Sequence, residues 1–314
     1  MKIAIELPSW LGDTIMTTPA IENIINTYAQ SQIIFIGNNI SLSIFQDCLQ
    51  GKRFISINKK FTSLYRASLE IGRVDIYISF RGSKRAWFLK KLINSKKKFQ
   101  YDKKRYDSGH QVERYNKFIN ESLNLSKVPG NLKIYSNATT FTNNKGKLLG
   151  LNPGASYGSA KRWDPEKFGM VGEFFSSDFD LIIFGGNKEI EMAKEIEKSL
   201  AEKNVLNFVN LAGRTSIQDL IGHFKNLSIL VTGDSGPMHL AAALNIPTVT
   251  IFGPTKVNET SQWKNSVSVN VKTNLPCQPC MKRTCPLIHH KCMNDITSLN
   301  VIDEIRNLIK LGKI

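Results

Sequence analysis

Residues Leu230–Thr255 read LVTGDSGPMHLAAALNIPTVTIFGPT: an apolar β-prone run, a glycine-rich turn, a helical stretch and a second apolar run, with nothing left over. The segment 229–232 predicts a strand, Gly233-Asp234-Ser235-Gly236 a tight turn, and Pro237–Leu244 a helix with proline in its first turn. A helix that starts directly off a strand leaves unpaired backbone N–H groups at the positive end of its dipole, the arrangement that binds phosphate. Asp234 would repel an anion at that point, so its carboxylate either caps the helix or receives sugar hydroxyls. A well-capped helix in any α/β protein is the plain alternative for the whole segment.

The same alternation runs through the chain. Apolar strand-like runs at 3–7, 33–36, 54–57 and 76–80 are separated by amphipathic stretches, as βαβ units of a parallel sheet require. A polar stretch over 131–147 reads as a linker, and the rhythm restarts at 148–152, 181–184, 208–211, 229–232 and 248–252. The fold expected is α/β, with two Rossmann-like doubly wound domains facing across a cleft, each binding its ligand at the C-terminal ends of the strands. The domains are placed at 1–146 and 147–297. An amphipathic helix within 298–314 follows, with the option of packing back on the first domain.

The 314 residues suffice for two cores, and 41% apolar with 22% charged residues fits a globular chain. Glu6 and Pro8 interrupt the only short apolar run at the start, and no apolar stretch approaches a spanning helix, so a cytoplasmic protein is expected. The net charge of +16 is concentrated: residues 81–105 hold eleven Lys or Arg against Asp102 alone. Such a block suits an anionic lipid surface, and it lacks the stacking platform of a nucleic-acid site. A solvated basic face that keeps the protein in solution is the bland reading.

Three further motifs carry chemistry. Strand 3–7 runs into Pro8-Ser9-Trp10-Leu11-Gly12-Asp13, with a helix from about Thr14. Gly12 permits close backbone approach, and Asp13 is either a general base for a substrate hydroxyl or an ordinary N-cap. The run from Pro153 through Ser156, Tyr157 and Ser159 to Lys161-Arg162-Trp163 is a loop of small and hydroxyl residues ending in two cations, a diphosphate cradle or an exposed loop. Glu189, after Gly185-Gly186, sits near a helix start, where it binds ribose hydroxyls or complements the dipole.

Asp178-Phe179-Asp180 resembles a DxD metal motif but precedes its strand, at the wrong end of the sheet. No G-x-G-x-x-G fingerprint supports a nicotinamide enzyme. Cys277, Cys280, Cys285 and Cys292, with His289 and His290 among them, permit a zinc knuckle. Their spacing departs from the paired C-x2-C pattern, which favours buried thiols.

Taken together, ELPSWLGDTIMTTPAI, LNPGASYGSAKRW, LAGRTSIQDL, TGDSGPMHLAAAL with IFGPT, and CQPCMKRTCPLIHHKCM resemble glycosyltransferase family nine, the ADP-heptose:lipopolysaccharide heptosyltransferases, over nearly the whole chain. The resemblance implies a B-type glycosyltransferase fold that inverts the anomeric carbon and needs no metal or other cofactor. It makes Asp13 the base on the acceptor hydroxyl and Lys161 the stabiliser of the leaving ADP. Asp234 would hold the donor sugar, and Ser235 with the backbone of Gly236, Pro237, Met238 and His239 its phosphates. Ser156, Tyr157 and Ser159 would line the donor site, Glu189 would take the ribose, and Arg214-Thr215 would border the adenine. Ser9, Trp10, Gly12, Arg81 and Arg85 would meet a phosphorylated lipid A–Kdo–heptose acceptor at the cytoplasmic membrane face. A hexose or N-acetylglucosamine transferase of the same family, and a basic nucleic-acid-binding protein, are the rival readings.

Overall fold

The computed structural model describes residues 1–49, 51–139, 146–155 and 157–314, except the side chain of Lys52. The chain divides into two compact units, Met1–Asn137 and Ala138–Ile314. The first contains β1 (Lys2–Glu6), α1 (Leu11–Thr27), β2 (Gln32–Gly37), α2 (Asn39–Ser43), β3 (Gly51–Ser56), α3 (Phe61–Ile71), β4 (Arg73–Ser79), α4 (Lys84–Leu92), β5 (Asn94–Gln100) and α5 (Gln111–Leu123). The second contains β6 (Lys147–Asn152), a 3-10 turn (Ser159–Lys161), α6 (Pro165–Phe175), β7 (Phe179–Ile183), α7 (Ile190–Glu202), β8 (Phe208–Asn210) and α8 (Ile217–Phe224). It continues with β9 (Ile229–Gly233), α9 (Gly236–Ala243), β10 (Thr248–Phe252), α10 (Val257–Thr260), β11 (Ser268–Lys272), α11 (Lys291–Asn294) and α12 (Ser298–Lys310).

Both sheets are wholly parallel among these strands. The first has the order β3-β2-β1-β4-β5 and the second β11-β10-β9-β6-β7-β8. In each, the first strand sits inside the sheet and the chain winds out in both directions, so the order reverses between β1 and β4 and between β6 and β9. Ligands of open parallel sheets bind outside the carboxyl ends of the strands at such reversals. Buried on both faces, the inner strands read as continuous apolar runs: β9 and β10 have no exposed residue.

Two strands escaped the sequence pattern. β5, NSKKKFQ, and β11, SVNVK, lie at sheet edges and are never fully buried, so neither carries an apolar run. Lys96, Lys97 and Lys98 of the basic block therefore lie on an edge strand, where lysines also discourage edge-to-edge pairing. The closing helix differs from the option of a return to the first domain. Val301, Ile302, Ile305 and Leu308 of α12 join the core of the second unit with Leu151, Phe168 and Val249. One apolar stripe on α12 is satisfied there, against α6, β10 and β11.

Phe168 of α6 is fully buried and meets the Trp163 ring edge-on at 4.9 Å. Truncating it leaves a cavity that its rigid neighbours cannot close. Phe168→Ala is expected to destabilise the second unit by about 3–5 kcal/mol, read from urea unfolding of the full chain against wild type.

Candidate functional site

In the first unit, the connection from β1 to α1 is fixed by side chains that bind its carbonyls. Asn38 Nδ2 donates to Ser9 O at 2.9 Å, Ser41 Oγ to Pro8 O, and Thr14 Oγ1 to Trp10 O at 2.9 Å. The Trp10 carbonyl also accepts from Thr14 N at 2.9 Å. The helix therefore begins at Leu11, three residues before the expected start, with Trp10 as its N-cap. Gly12 lies buried in the first turn rather than in a preceding loop, and Asp13 is not the cap. Ser9 and Asp13 are half-buried and Trp10 is exposed.

The Asp13 carboxylate faces α5, where the Tyr115 phenol hydrogen-bonds to it. Burial first, and then the Asp13 charge, hold Tyr115 well above the usual tyrosine range. Burial likewise raises Tyr101, while the hydrogen bond from Gln111 and the charge of buried Arg114 work against it. Both phenols keep their protons, and the Asp13 carboxylate beside them is of the kind that can receive a proton from a hydroxyl.

Across the reversal, β4 ends at Ser79 and leads to Arg81. Fully buried Glu6, the last residue of β1, accepts from Tyr77 Oη at 2.7 Å and Ser79 Oγ at 2.6 Å, and pairs with Arg81 Nη1 at 3.2 Å. Burial, and then the Glu6 charge, push Tyr77 well above its ordinary value. Arg81 is thus anchored at the carboxyl end of β4. Arg85 is committed elsewhere: its guanidinium donates to the carbonyls of Asn58, Lys59 (2.6 Å) and Lys60 (3.1 Å), and it lies over the Phe61 ring. It tethers the β3–α3 connection, so of the two arginines only Arg81 is placed by the strand end itself.

The second unit shows the tighter constellation. Lys161 Nζ lies 2.5 Å from Asp234 Oδ2 and 3.3 Å from the Asp234 carbonyl, with both side chains nearly buried. Thr255 Oγ1 donates to the same carboxylate oxygen at 2.6 Å. Asn152 Nδ2 donates to Thr232 Oγ1 at 2.9 Å and Ser235 Oγ at 3.3 Å, which ties the ends of β6 and β9 together. Asp234 therefore does not cap α9. Ser235 is the N-cap and makes no side-chain cap bond, and Pro237 lies in the first turn. Met238 is fully buried and its N–H donates to Ser235 O at 3.2 Å; His239 is also buried.

Glu189 is the N-cap residue of α7, but its side chain reaches back to Gly186 N–H at 2.9 Å instead of capping. Its Oε1 is buried without a hydrogen-bond partner among the described residues. A Cβ at Gly154 would fall 2.7 Å from Glu189 Cγ, so glycine is required where the β6 loop passes this side chain. Arg214, exposed, and Thr215, half-buried, follow β8 just before Ser216 caps α8. Tyr157 lies under the Lys161 ammonium at 4.7 Å from the ring centre, and Ser159 is exposed at the start of the 3-10 turn. Ser156 lies outside the described residues, as do 140–145 of the expected linker. Asp178 and Asp180 flank the start of β7, at the opposite end of the sheet from Lys161 and Asp234.

The cysteine-rich segment has a role that its composition hid. Tyr157 Oη donates to Met281 O at 2.8 Å, Ala160 N to Arg283 O at 3.0 Å, and Gln278 Nε2 to Gly253 O at 2.8 Å. His290 Nε2 lies 2.9 Å from Ala160 O. The segment is a strap that braces the 157–161 and 253–255 loops, and a Cβ at Gly158 would collide with the Arg283 carbonyl. All four cysteines are free thiols around one small cavity, and burial foremost, then the other three thiols, push Cys292 up to about 11. Among the described residues no group of three or more His, Cys, Asp or Glu side chains is arranged to hold a metal ion.

Glu6, Tyr115 and Thr255 were not singled out as site residues from sequence, and the cysteine-rich segment was read there as a zinc knuckle or buried thiols rather than as a brace. An acid closing an apolar strand, as Glu6 does in KIAIE, was the one available signal.

The model of glycosyltransferase family 9 (heptosyltransferase) matches residues 67–291. The chain is 40% identical to lipooligosaccharide heptosyltransferase 2 of Campylobacter jejuni serotype O:2, over 99% of each chain. Its fold matches the E. coli ADP-heptose lps heptosyltransferase II with a TM-score of 0.82 at 20% identity, covering all of both chains. The E. coli heptosyltransferase WaaC with ADP matches with a TM-score of 0.77 at 18% identity, over 98% of this chain and 100% of that one.

Proposed function

The chain belongs to glycosyltransferase family 9, the heptosyltransferases, and from that premise we propose that it is a heptosyltransferase II. It transfers L-glycero-D-manno-heptose from ADP-heptose to the inner-core heptose of lipopolysaccharide or lipooligosaccharide, with inversion and without a metal. The observation that carries this reading is the Lys161–Asp234 pair beside the uncapped start of α9, at the reversal between β6 and β9. An ammonium and the positive end of a helix together neutralise a diphosphate without an ion. An ion pair this buried adds little to stability, which suits a role in ligand binding. The full-length 40% identity to a lipooligosaccharide heptosyltransferase 2 supports the substrate class.

Asp13 takes the proton of the acceptor hydroxyl as that oxygen attacks the anomeric carbon of the donor. The bond from that carbon to the β-phosphate oxygen breaks on the opposite face, and ADP departs. Attack from behind inverts the centre. Lys161 and the α9 backbone hold the charge that develops on the leaving phosphate. Asp234, already carrying Lys161 and Thr255, fixes the ammonium and receives donor sugar hydroxyls. The unpartnered Glu189 Oε1 accepts a ribose hydroxyl, with Arg214 and Thr215 beside the adenine. Ser9, Trp10 and Arg81 meet the acceptor, whose phosphates and carboxylates suit the cationic strand end. The enzyme works at the cytoplasmic face of the inner membrane, and no helix among the described residues is long and apolar enough to cross it.

A transfer assay with ADP-heptose and defined truncated lipopolysaccharides, run in excess EDTA, tests the reading. Turnover with ADP-heptose and none with UDP-sugars is expected. Loss in EDTA that a divalent cation restores would overturn metal independence.

Asp13→Asn should lower turnover by roughly 10²–10⁴ while ADP-heptose affinity stays within a few fold, because only general base catalysis is removed. Single-turnover rates and donor titration measure the two effects separately, and retained turnover would remove Asp13 from the role.

Lys161→Ala should cost roughly 10²–10³ in turnover, as expected for a preorganised charge at the leaving group. Steady-state kinetics alongside ADP binding checks this. Unchanged values for both would leave Lys161 as a structural partner of Asp234.

A further inference from the structure

Helices α3 and α4 pack side by side over one face of the first sheet, and each has already spent an apolar face on that contact. Leu64, Ala67 and Ile71 of α3 and Ala86 and Leu89 of α4 are the buried set. Yet both helices carry a second apolar set facing out. Phe61, Tyr65 and Leu69 fall four residues apart on α3 and are 60%, 57% and 64% exposed. Trp87 and Phe88 on α4 are 53% and 37% exposed. The Phe61 and Phe88 rings touch edge-on at 5.4 Å between centroids, which joins the two sets into one patch. In the second unit, large exposed apolar residues such as Phe174, Leu206, Val209, Ile288 and Leu299 are instead spread over several elements, and Arg306 lies over the Phe174 ring. Scattered exposed apolar residues need no explanation, whereas a contiguous patch does.

Charge says what covers it. Residues 58–98 hold twelve Lys or Arg against Glu70 and Asp75. Both acids are paired, Glu70 with Arg53 and Asp75 with Lys96. Lys59, Lys60, Arg66 and Lys91 are exposed around the aromatic residues, and the Lys91 ammonium lies 5.4 Å over the Trp87 ring. Apolar side chains ringed by cations, with the helices parallel to the surface they cover, match the interface of an anionic bilayer, where aromatic rings sit at headgroup depth and lysines reach phosphates. A nucleic-acid surface is disfavoured: Leu69 offers no stacking face, and cations already occupy the faces of Phe61 and Trp87.

We propose that the outer face of α3 and α4 is a membrane-docking surface, in which Phe61, Tyr65, Leu69, Trp87 and Phe88 enter the headgroup region of an anionic bilayer and the surrounding Lys and Arg bind its phosphates. This deepens the acceptor reading and rests on it for its purpose. α4 begins two residues after Arg81–Gly82, so docking sets the acceptor-facing end of β4 next to the lipid surface that carries the acceptor.

The test uses the full chain with vesicles of phosphatidylcholine, alone and mixed with phosphatidylglycerol. Wild type should sediment with the mixed vesicles and not with phosphatidylcholine alone. Bromine-labelled lipid should quench tryptophan emission, and Trp87→Phe should remove most of that quenching. The triple variant Tyr65→Ser, Leu69→Ser, Trp87→Ser should lose at least about tenfold in partitioning. Lys60→Gln and Lys91→Gln should each lose roughly fivefold. On a lipid-free acceptor oligosaccharide the triple variant should retain wild-type transfer, which also shows that it is folded. Equal binding to neutral vesicles, unchanged partitioning of the triple variant, or absence of quenching through Trp87 would each overturn the proposal. So would displacement of wild type from vesicles by single-stranded DNA that the triple variant no longer binds. Absence of heptosyl transfer by wild type on the lipid-free acceptor would instead defeat the proposed reaction and leave the vesicle result standing.

Discussion

Parallel strands cannot be joined by tight turns, and they are stable only with both faces covered, so each strand must be followed by a helix that crosses back over the sheet. Everything chemical in this chain follows from that constraint. Crossing helices start at the carboxyl ends of the strands, and starting the sheet from an inner strand opens a crevice where the winding reverses. β1 with β4, and β6 with β9, are those places. Asp13 and Arg81 stand at the first, and Lys161 and Asp234 at the second. The residues are far apart in sequence, yet within each unit no special device is needed to bring them to one end of the sheet.

What each crevice then requires is control of charge. In the first unit a fully buried carboxylate, Glu6, would be costly if left unpaired. It is met by two hydroxyl donors and a guanidinium, and its return is a fixed Arg81. In the second unit Asp234 carries an ammonium and a hydroxyl, which leaves the start of α9 without a side-chain cap. A carboxylate that had capped α9 would have satisfied the helix and blocked an anion.

The strap over 277–292 extends this logic. The 157–161 loop takes part of its shape from this segment. Its backbone carbonyls accept from Tyr157 Oη and Ala160 N. The four thiols lie inside the strap, and the high value of Cys292 follows from its burial there.

The sequence determined the fold class and the polarity of the sites. Continuous apolar runs such as LLGLN and TVTIF are the signature of strands buried on both faces, and each was followed by a glycine-rich turn and a helix start. That pattern is local, so it was legible, as was the placement of Asp13, Lys161, Asp234 and Glu189 in the connections that follow strands. Edge strands β5 and β11 were not legible, because a half-solvated strand needs no apolar run. Nor were partnerships: that Asp234 holds Lys161 rather than capping its own helix, that Arg85 is tied to the β3–α3 loop, or that α12 closes the second core. Each depends on which distant group is nearest once the sheets are wound. Tertiary structure decided these because hydrogen bonds and ion pairs act over a few ångströms in space, whereas spacing along the chain reports only what lies on the same element.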